Sequence, residues 1–316
     1  MKNRDSFRGT SIDKTFAQSF KKSRFYNDIY KKHEDEIIIG VRDRSVNLYY
    51  NCDSIASIKV GKPQQCTIDK YYTNGEKKNL TGDEMVRYYE LIKENSDKRN
   101  KHEKQSQQRL YIDNNKNKSS EWFCIDVEYT KSLKGKKSAE DWRFDIIAIS
   151  KKKPFRVALI ELKYGFAAIG GTSGIRKHVE DFHKFYRDKK FDILKPELVS
   201  IIEKLGMLGV DVPSSLKGLK EEDIATEPEF YFVVLNNNPS GRSKNTPKQT
   251  TSGYLFNDNK WGCKKISKSV KEKGDYYVLI ENDNSFKPVF LFSKATLPDL
   301  QIQAILDKKY YEVETV

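Results

Sequence analysis

Three apolar runs of strand length follow one another in the middle of the chain, over residues 122–129, 143–150 and 155–164, each bounded by charged or turn-forming residues. Short runs rich in Ile, Val, Phe and Trp with such boundaries predict buried β-strands. After a glycine-rich turn (Gly165, Gly170, Gly171, Gly174), Ile175, Val179, Phe182 and Tyr186 recur at helical spacing, which predicts a helix with one apolar face. A further helix is expected over 197–205, and the apolar run 230–235 reads as another buried strand, with one more over 276–281. The stretch 300–306, after Pro298, has helical character. No internal repeat is visible.

The first hundred residues have a different texture. Up to about residue 30, Lys, Arg, Asp and Ser alternate with isolated aromatics (Phe16, Phe20, Phe25, Tyr26, Tyr30), a pattern of an arm or short helix rather than a core element. Runs at 37–41, 46–50, 57–60 and 66–72, separated by Asp, Asn, Gly and Pro, predict a small antiparallel sheet. Thr81 with Glu84 three residues on is a capping-box pattern, and Met85, Tyr88, Tyr89 and Ile92 follow at helical spacing, so a helix begins there. Residues 94–108 are almost wholly polar, a charged linker or the exposed start of another helix ending near Leu110 and Tyr111. The expected organisation is an N-terminal β-rich domain over 1–98 and an α/β domain over 99–316.

Composition narrows the function classes. A hydrophobic content of 37% with 12% aromatics excludes global disorder over 316 residues. No apolar run approaches the roughly 20 residues that cross a bilayer, so no membrane partner is expected. The opening residues build no apolar segment ahead of small residues, and a cytoplasmic setting is the expectation. Cys52, Cys66, Cys124 and Cys263 form no C-x-x-C pair, which argues against a zinc ribbon and for reduced thiols. A net charge of +13 favours a polyanionic partner, although an ordinary solvated surface has the same balance.

The chemistry concentrates in one predicted hairpin. The segment 143–149 and the segment 155–163 flank the loop 150–154; pairing symmetric about Lys153 puts Asp145 opposite Glu161, with Cβ atoms about 5 Å apart. Side chains alternate along a strand, so Lys163 shares a face with Glu161. Like charges opposite one another repel and raise a carboxyl pKa unless a cation intervenes. Hard oxygen ligands with room for water suit Mg²⁺ or Mn²⁺, and such an ion activates water and screens charge on a phosphate. An ammonium beside it orients or deprotonates the attacking water, or stabilises the transition state.

Asp145, then a second strand ending Glu161-Leu162-Lys163, then a helix: this arrangement resembles the PD-(D/E)xK nuclease superfamily, over roughly residues 103–235. The resemblance implies a restriction-endonuclease-like α/β core, a mixed central sheet flanked by helices. It implies Asp145 and Glu161 as metal ligands, Lys163 as the catalytic amine, and an acidic residue on the helix before the first strand, for which Glu103 stands in place, with Glu94 also upstream and a solvated surface charge as the other reading. The spacing itself is weakly specific; its placement on two adjacent apolar strands is less common. Asp126 and Glu128 on the first strand are read as sharing a face, where they either complete the site or pair with Arg143 or Lys131.

Other candidates surround this centre. The turn 170–174 leads into a helix and offers either free N–H groups for a phosphate or an N-cap at Thr172 or Ser173. Arg176, Lys177, Lys184 and Arg187 lie off the apolar stripe and either track a nucleic-acid backbone or form a solvated face. His178 is a candidate substrate contact near the metal; its five-residue separation from His183 excludes a zincin-type pair. The lysines 151–153 and the loop 236–253, with Arg242, Lys244 and Lys248, are candidate phosphate grips, and equally solubilising tips.

The expected function is a Mg²⁺- or Mn²⁺-dependent nuclease with DNA a likelier substrate class than RNA, and the family resemblance adds a restriction or phage-defence setting. Tyr49-Tyr50 and Tyr71-Tyr72 of the N-terminal segment would then meet substrate, a partner or a second copy, or be core. The competing readings are a silent nucleic-acid-binding module of the same fold and an RNA nuclease.

Overall fold

Two β-sheets organise the chain. The computed structural model describes residues 8–99, 101–131, 142–165, 175–236, 285–286, 288–292 and 312–315. The expected elements at 276–281 and 300–306, the turn 170–174 and Arg242, Lys244 and Lys248 lie outside the described residues.

The first sheet is an antiparallel meander of β1 (Ile38–Val41), β2 (Ser45–Tyr50), β3 (Asp53–Lys59), β4 (Gln65–Thr67) and β5 (Asn79–Thr81). The strand expected over 66–72 stops early because the Asp69 carboxylate accepts the Tyr71 N–H at 2.9 Å and turns the chain into a 3₁₀ segment, Lys70–Thr73. Helix α2 (Gly82–Asp97) begins with the expected capping box: Thr81 Oγ1 accepts from Glu84 N, and the Glu84 carboxylate accepts from Thr81 N at 2.9 Å. Tyr49 and Tyr72 are buried, Tyr50 is half-buried and Tyr71 is exposed, so the two tyrosine pairs divide between core and surface.

The opening segment forms a short helix, one of the two forms expected, but it is a core element. Helix α1 (Lys14–Lys22), capped by Asp13, and the π-helical turn Phe25–Tyr30 bury Phe16, Phe20, Phe25 and Ile29 in the main apolar cluster. The π turn takes the aromatics off a 3.6-residue period, so the pattern of buried positions is not the one that marks an amphipathic α-helix.

The second sheet runs in the order β11-β10-β9-β8-β7-β6. Its strands are β6 (Trp122–Lys131), β7 (Trp142–Ser150), β8 (Val157–Tyr164), β9 (Glu229–Leu235), β10 (Val289–Phe292) and β11 (Glu312–Thr315). β6, β7 and β8 are antiparallel neighbours, β8 to β9 and β9 to β10 are parallel, and β11 returns antiparallel, so the sheet is mixed and the chain is of mixed α/β class. Between β5 and β6 the chain forms α2 and then α3 (His102–Lys116); between β8 and β9 it forms α4 (Ile175–Arg187) and α5 (Phe191–Met207). The helix expected over 197–205 thus starts earlier and continues through Pro196.

Alternation along the strands sends their apolar residues to two clusters. Val157, Leu159, Phe230, Phe232 and Val234 join α4 and α5, whereas Ala158, Ile160, Leu162, Tyr231 and Val233 join Leu110, Tyr111 and Ile112 of α3. Helices therefore pack on both faces. Phe182 of α4 sits among Phe144, Phe230 and Phe232 at ring separations of 4.9–5.6 Å, and truncating such a side chain to Ala costs about 3–5 kcal/mol.

A buried ionic network ties the opening residues to this sheet. Asp126, 1% exposed, accepts from Arg8 at 3.0 Å and from Arg42 at 2.8 and 2.9 Å; Arg8 also lies 3.4 Å from Glu197, which takes Tyr129 and Lys131 at 2.7 Å each. Asp126 therefore completes this network and not the site expected around Asp145, and the partners expected for it, Arg143 and Lys131, are elsewhere: Arg143 is exposed and Lys131 is on Glu197. Among the described residues no helix is long and apolar enough to cross a membrane.

Candidate active site

The hairpin of β7 and β8 pairs Ile146 with Ile160, Ile147 with Leu159, Ala148 with Ala158 and Ile149 with Val157. One step further in the same register Asp145 stands opposite Glu161. On the other side of β7, the pairs Val127–Ile146 and Tyr129–Phe144 bracket Glu128 and Asp145. Three carboxylates thus stand at one level across three adjacent strands. Glu128 adopts a left-handed backbone, φ 51°, and a register shift between Cys124 and Asp126 precedes it. The two irregularities break the alternation that the sequence pattern assumed for Asp126 and Glu128.

Lys163 lies on the same strand face as Glu161, and its Nζ donates to Glu161 Oε1 at 2.7 Å. The amine is also 3.6 Å from Glu103 Oε1 on the first turn of α3, so the helix before the sheet does deliver a carboxylate to this point. His178 of α4 places Nε2 3.0 Å from the same Glu161 Oε1. The Asp145 Oδ2 atom accepts the Leu162 N–H at 2.7 Å, which fixes its carboxylate against the β8 backbone.

The electrostatics follow from this crowding. Burial, reinforced by Glu161, holds the Asp145 carboxyl well above the ordinary carboxylate range, although Lys163 and the Leu162 N–H oppose the shift. Burial pushes Glu161 up to about 7, against the lowering effect of Lys163. Burial likewise raises Glu103, again with Lys163 opposing and Glu128 adding to it. For Lys163 burial favours the neutral amine, but Glu161, Asp145 and Glu103 outweigh it and raise its pKa. The site is a carboxylate cluster that retains protons or cations, around a lysine that stays charged.

The donor set fits a hard divalent cation. Glu161 Oε1 is engaged by Lys163 and His178, and Asp145 Oδ2 by the Leu162 N–H, so each carboxylate has a second oxygen to offer. One or two carboxylates with several retained waters is the usual Mg²⁺ arrangement. Among the described residues no group of three or more His, Cys, Asp or Glu stands at metal-holding geometry, so water would have to complete the shell.

The remaining candidates are dispersed. Lys177 is exposed and pairs with Asp181, Lys184 and Arg187 are exposed, and the side chain of Arg176 lies outside the described residues. His183 is buried, packed edge-on against Phe286 at 5.1 Å, away from its neighbour His178 on the site. Lys153 pairs with Asp223, and Lys152 is exposed. Lys104 joined no sequence-level pattern, yet it lies 3.5 Å from Glu128 and 3.7 Å from Asp53. Its position one residue after Glu103 on a helix turn was the available signal.

No protein-family model, no curated protein and no solved structure matches this chain.

Proposed function

We propose that the chain is a divalent-metal-dependent nuclease with a restriction-endonuclease-like core, hydrolysing phosphodiester bonds in DNA. The observation that carries this reading is the β7–β8 register, in which Asp145 falls one step past the Ile146–Ile160 pair and so opposite Glu161, with the Lys163 amine 2.7 Å from Glu161. Charge balance and the resemblance to the PD-(D/E)xK superfamily support it.

Asp145 and Glu161 would hold Mg²⁺ or Mn²⁺, with Glu103 and Glu128 nearby. When bound, the ion would supply an activated water and screening of the phosphate charge. Glu161, Asp145 and Glu103 raise the Lys163 pKa in the metal-free chain, so the role proposed for it is to donate a hydrogen bond to the attacking water or to a phosphate oxygen. His178 orients Glu161 through Oε1 and leaves the other oxygen for the metal. The Leu162 N–H does the same for Asp145. The N-terminal residues 1–98 are proposed to serve substrate recognition.

A second reading has its own observation. Lys163 already pairs with Glu161 internally and His178 lies on the same oxygen, and among the described residues no trio of metal ligands is preformed, as in a binding module that does not cleave. One assay separates the two: linear, circular and single-stranded DNA and RNA of matched sequence, incubated with Mg²⁺, Mn²⁺ or EDTA. Metal-dependent cleavage of DNA that disappears in Lys163→Ala and Asp145→Ala supports the nuclease. Binding without cleavage under every condition supports the module, and preferential cleavage of RNA changes the substrate class.

A further inference from the structure

Resting on the nuclease reading, we infer that the junction of the N-terminal sheet with the α2–α3 link and the start of α3 forms a strand-binding subsite beside the candidate metal site. Arg99, Lys101 and Lys104, gathered on Asp53, hold a backbone phosphate next to the scissile one, and Tyr71 stacks on an unpaired base of that strand.

Three cations converge on one carboxylate oxygen. Asp53 Oδ1 lies 3.4 Å from Arg99 Nη1, 3.0 Å from Lys101 Nζ and 3.7 Å from Lys104 Nζ, while Ser96 Oγ donates to Oδ2 at 3.2 Å. The Asp53 side chain is 4% exposed, whereas those of Arg99, Lys101 and Lys104 are 36%, 30% and 28% exposed. The anchor is therefore buried and the cationic heads reach solvent. Two carboxylates, Asp53 and the Glu128 that also touches Lys104, face three positive charges, so one positive charge is in excess and the three cationic groups repel one another at short range. An external anion would balance the excess charge and relieve the repulsion. The arrangement is the mirror image of the carboxylate cluster beside it.

Lys104 connects the two. Its Nζ is 3.5 Å from Glu128 Oε1, so the cationic patch begins where the candidate metal site ends. An anion seated there while another occupies the metal site is most simply the next phosphate of one strand. The patch also continues away from the site. The Arg99 guanidinium lies 5.4 Å from the Tyr71 ring centroid and 5.8 Å from that of Tyr72. Tyr72 is 3% exposed and buttresses Tyr71 edge-on at 5.4 Å. Tyr71 itself is 47% exposed, one of two large hydrophobics so exposed among the described residues. A fixed aromatic face beside a guanidinium is the usual platform for an unpaired base, which a duplex does not present.

The test uses the full chain carrying Asp145→Asn, in EDTA, with fluorescence anisotropy of a labelled single strand and of the matching duplex. Arg99→Gln with Lys101→Gln is expected to weaken both by about tenfold and to reduce the salt dependence of single-strand binding by roughly one unit of slope. Tyr71→Ala is expected to weaken single-strand binding by at least about fivefold and to leave the duplex within about twofold. Arg99→Lys with Lys101→Arg preserves charge and is expected to keep the parent's affinity. Affinities and salt slopes unchanged in the Gln and Ala variants would overturn the subsite, as would an equal loss in the charge-preserving variant. Cleavage by the unmutated chain that survives without these binding effects removes this surface alone; the binding effects without any cleavage remove the nuclease reading and leave the surface standing.

Discussion

Lys163 Nζ and Glu161 Oε1 stand 2.7 Å apart on one face of β8, both buried, within reach of two further carboxylates. The amine is the cation that lets the acidic cluster exist without metal. Four consequences can be measured.

Glu161 has a folded pKa of about 7 against an ordinary 4.5, and Asp145 is raised as well. A raised carboxyl contributes stability that is fully present below the ordinary value and is lost as pH rises through the folded value. In EDTA the parent should lose stability between about pH 4.5 and 7. Asp145→Asn keeps an oxygen for the Leu162 N–H while removing a charge, so it should gain on the order of 1–3 kcal/mol over the parent at pH 8 and little at pH 4.5. Thermal melts of both proteins across this range check it; a gain that shrinks with rising pH contradicts it.

Removing the amine should act oppositely. Lys163→Ala is expected to lower the cleavage rate at saturating DNA by about 100- to 1,000-fold, the cost of one preorganised donor at a developing charge. Affinity for DNA should change little. The same variant should melt below the parent in EDTA at pH 8, because Glu161 and Glu103 lose their shared cation. Single-turnover kinetics with Mn²⁺ and a melt separate the two effects.

Glu128 holds a left-handed conformation that costs a residue with a Cβ about 1 kcal/mol or more. Glu128→Gly should therefore raise the melting temperature in EDTA by a few degrees while reducing metal-dependent cleavage. A lower melting temperature would show that pairing with Lys104 matters more than the backbone.

Asp126 should behave unlike its neighbours. Its replacement by Ala leaves Arg8 and Arg42 buried without their anion, at a cost of about 3–5 kcal/mol in metal-free and metal-containing buffer alike. Denaturant unfolding with and without Mn²⁺ checks it; a loss confined to the metal-bound state would place Asp126 in the cluster after all.

The hairpin was legible because the β7–β8 loop is short and the flanking strands are continuously apolar, so one symmetric register puts Asp145 against Glu161. The capping box at Thr81 was legible because it is a local hydrogen-bond pattern. Helix α3 was not fully so: it buries Ser106, Gln107, Gln108 and Asn114, and polar residues on a packed face leave no apolar period. Gln108, for example, bonds Cys52 N and the Tyr49 carbonyl across to the first sheet. Glu128 and Asp126 escaped because a bulge and a left-handed residue shift the facing of side chains without any mark in the hydrophobic pattern. Asp53 of β3 and its three cations, Arg99 and Lys101 between α2 and α3 and Lys104 on α3, come together only through long-range ion pairs, which no spacing rule encodes.

The central claim is that Asp145 and Glu161 share one divalent ion. Anomalous diffraction from crystals of the chain soaked in Mn²⁺ tests it most directly. The expected result is a peak bonded to an oxygen of each, about 2.0–2.2 Å away, that vanishes in Asp145→Asn. A map with no peak between them at saturating Mn²⁺, or an ion held only by other residues, contradicts it.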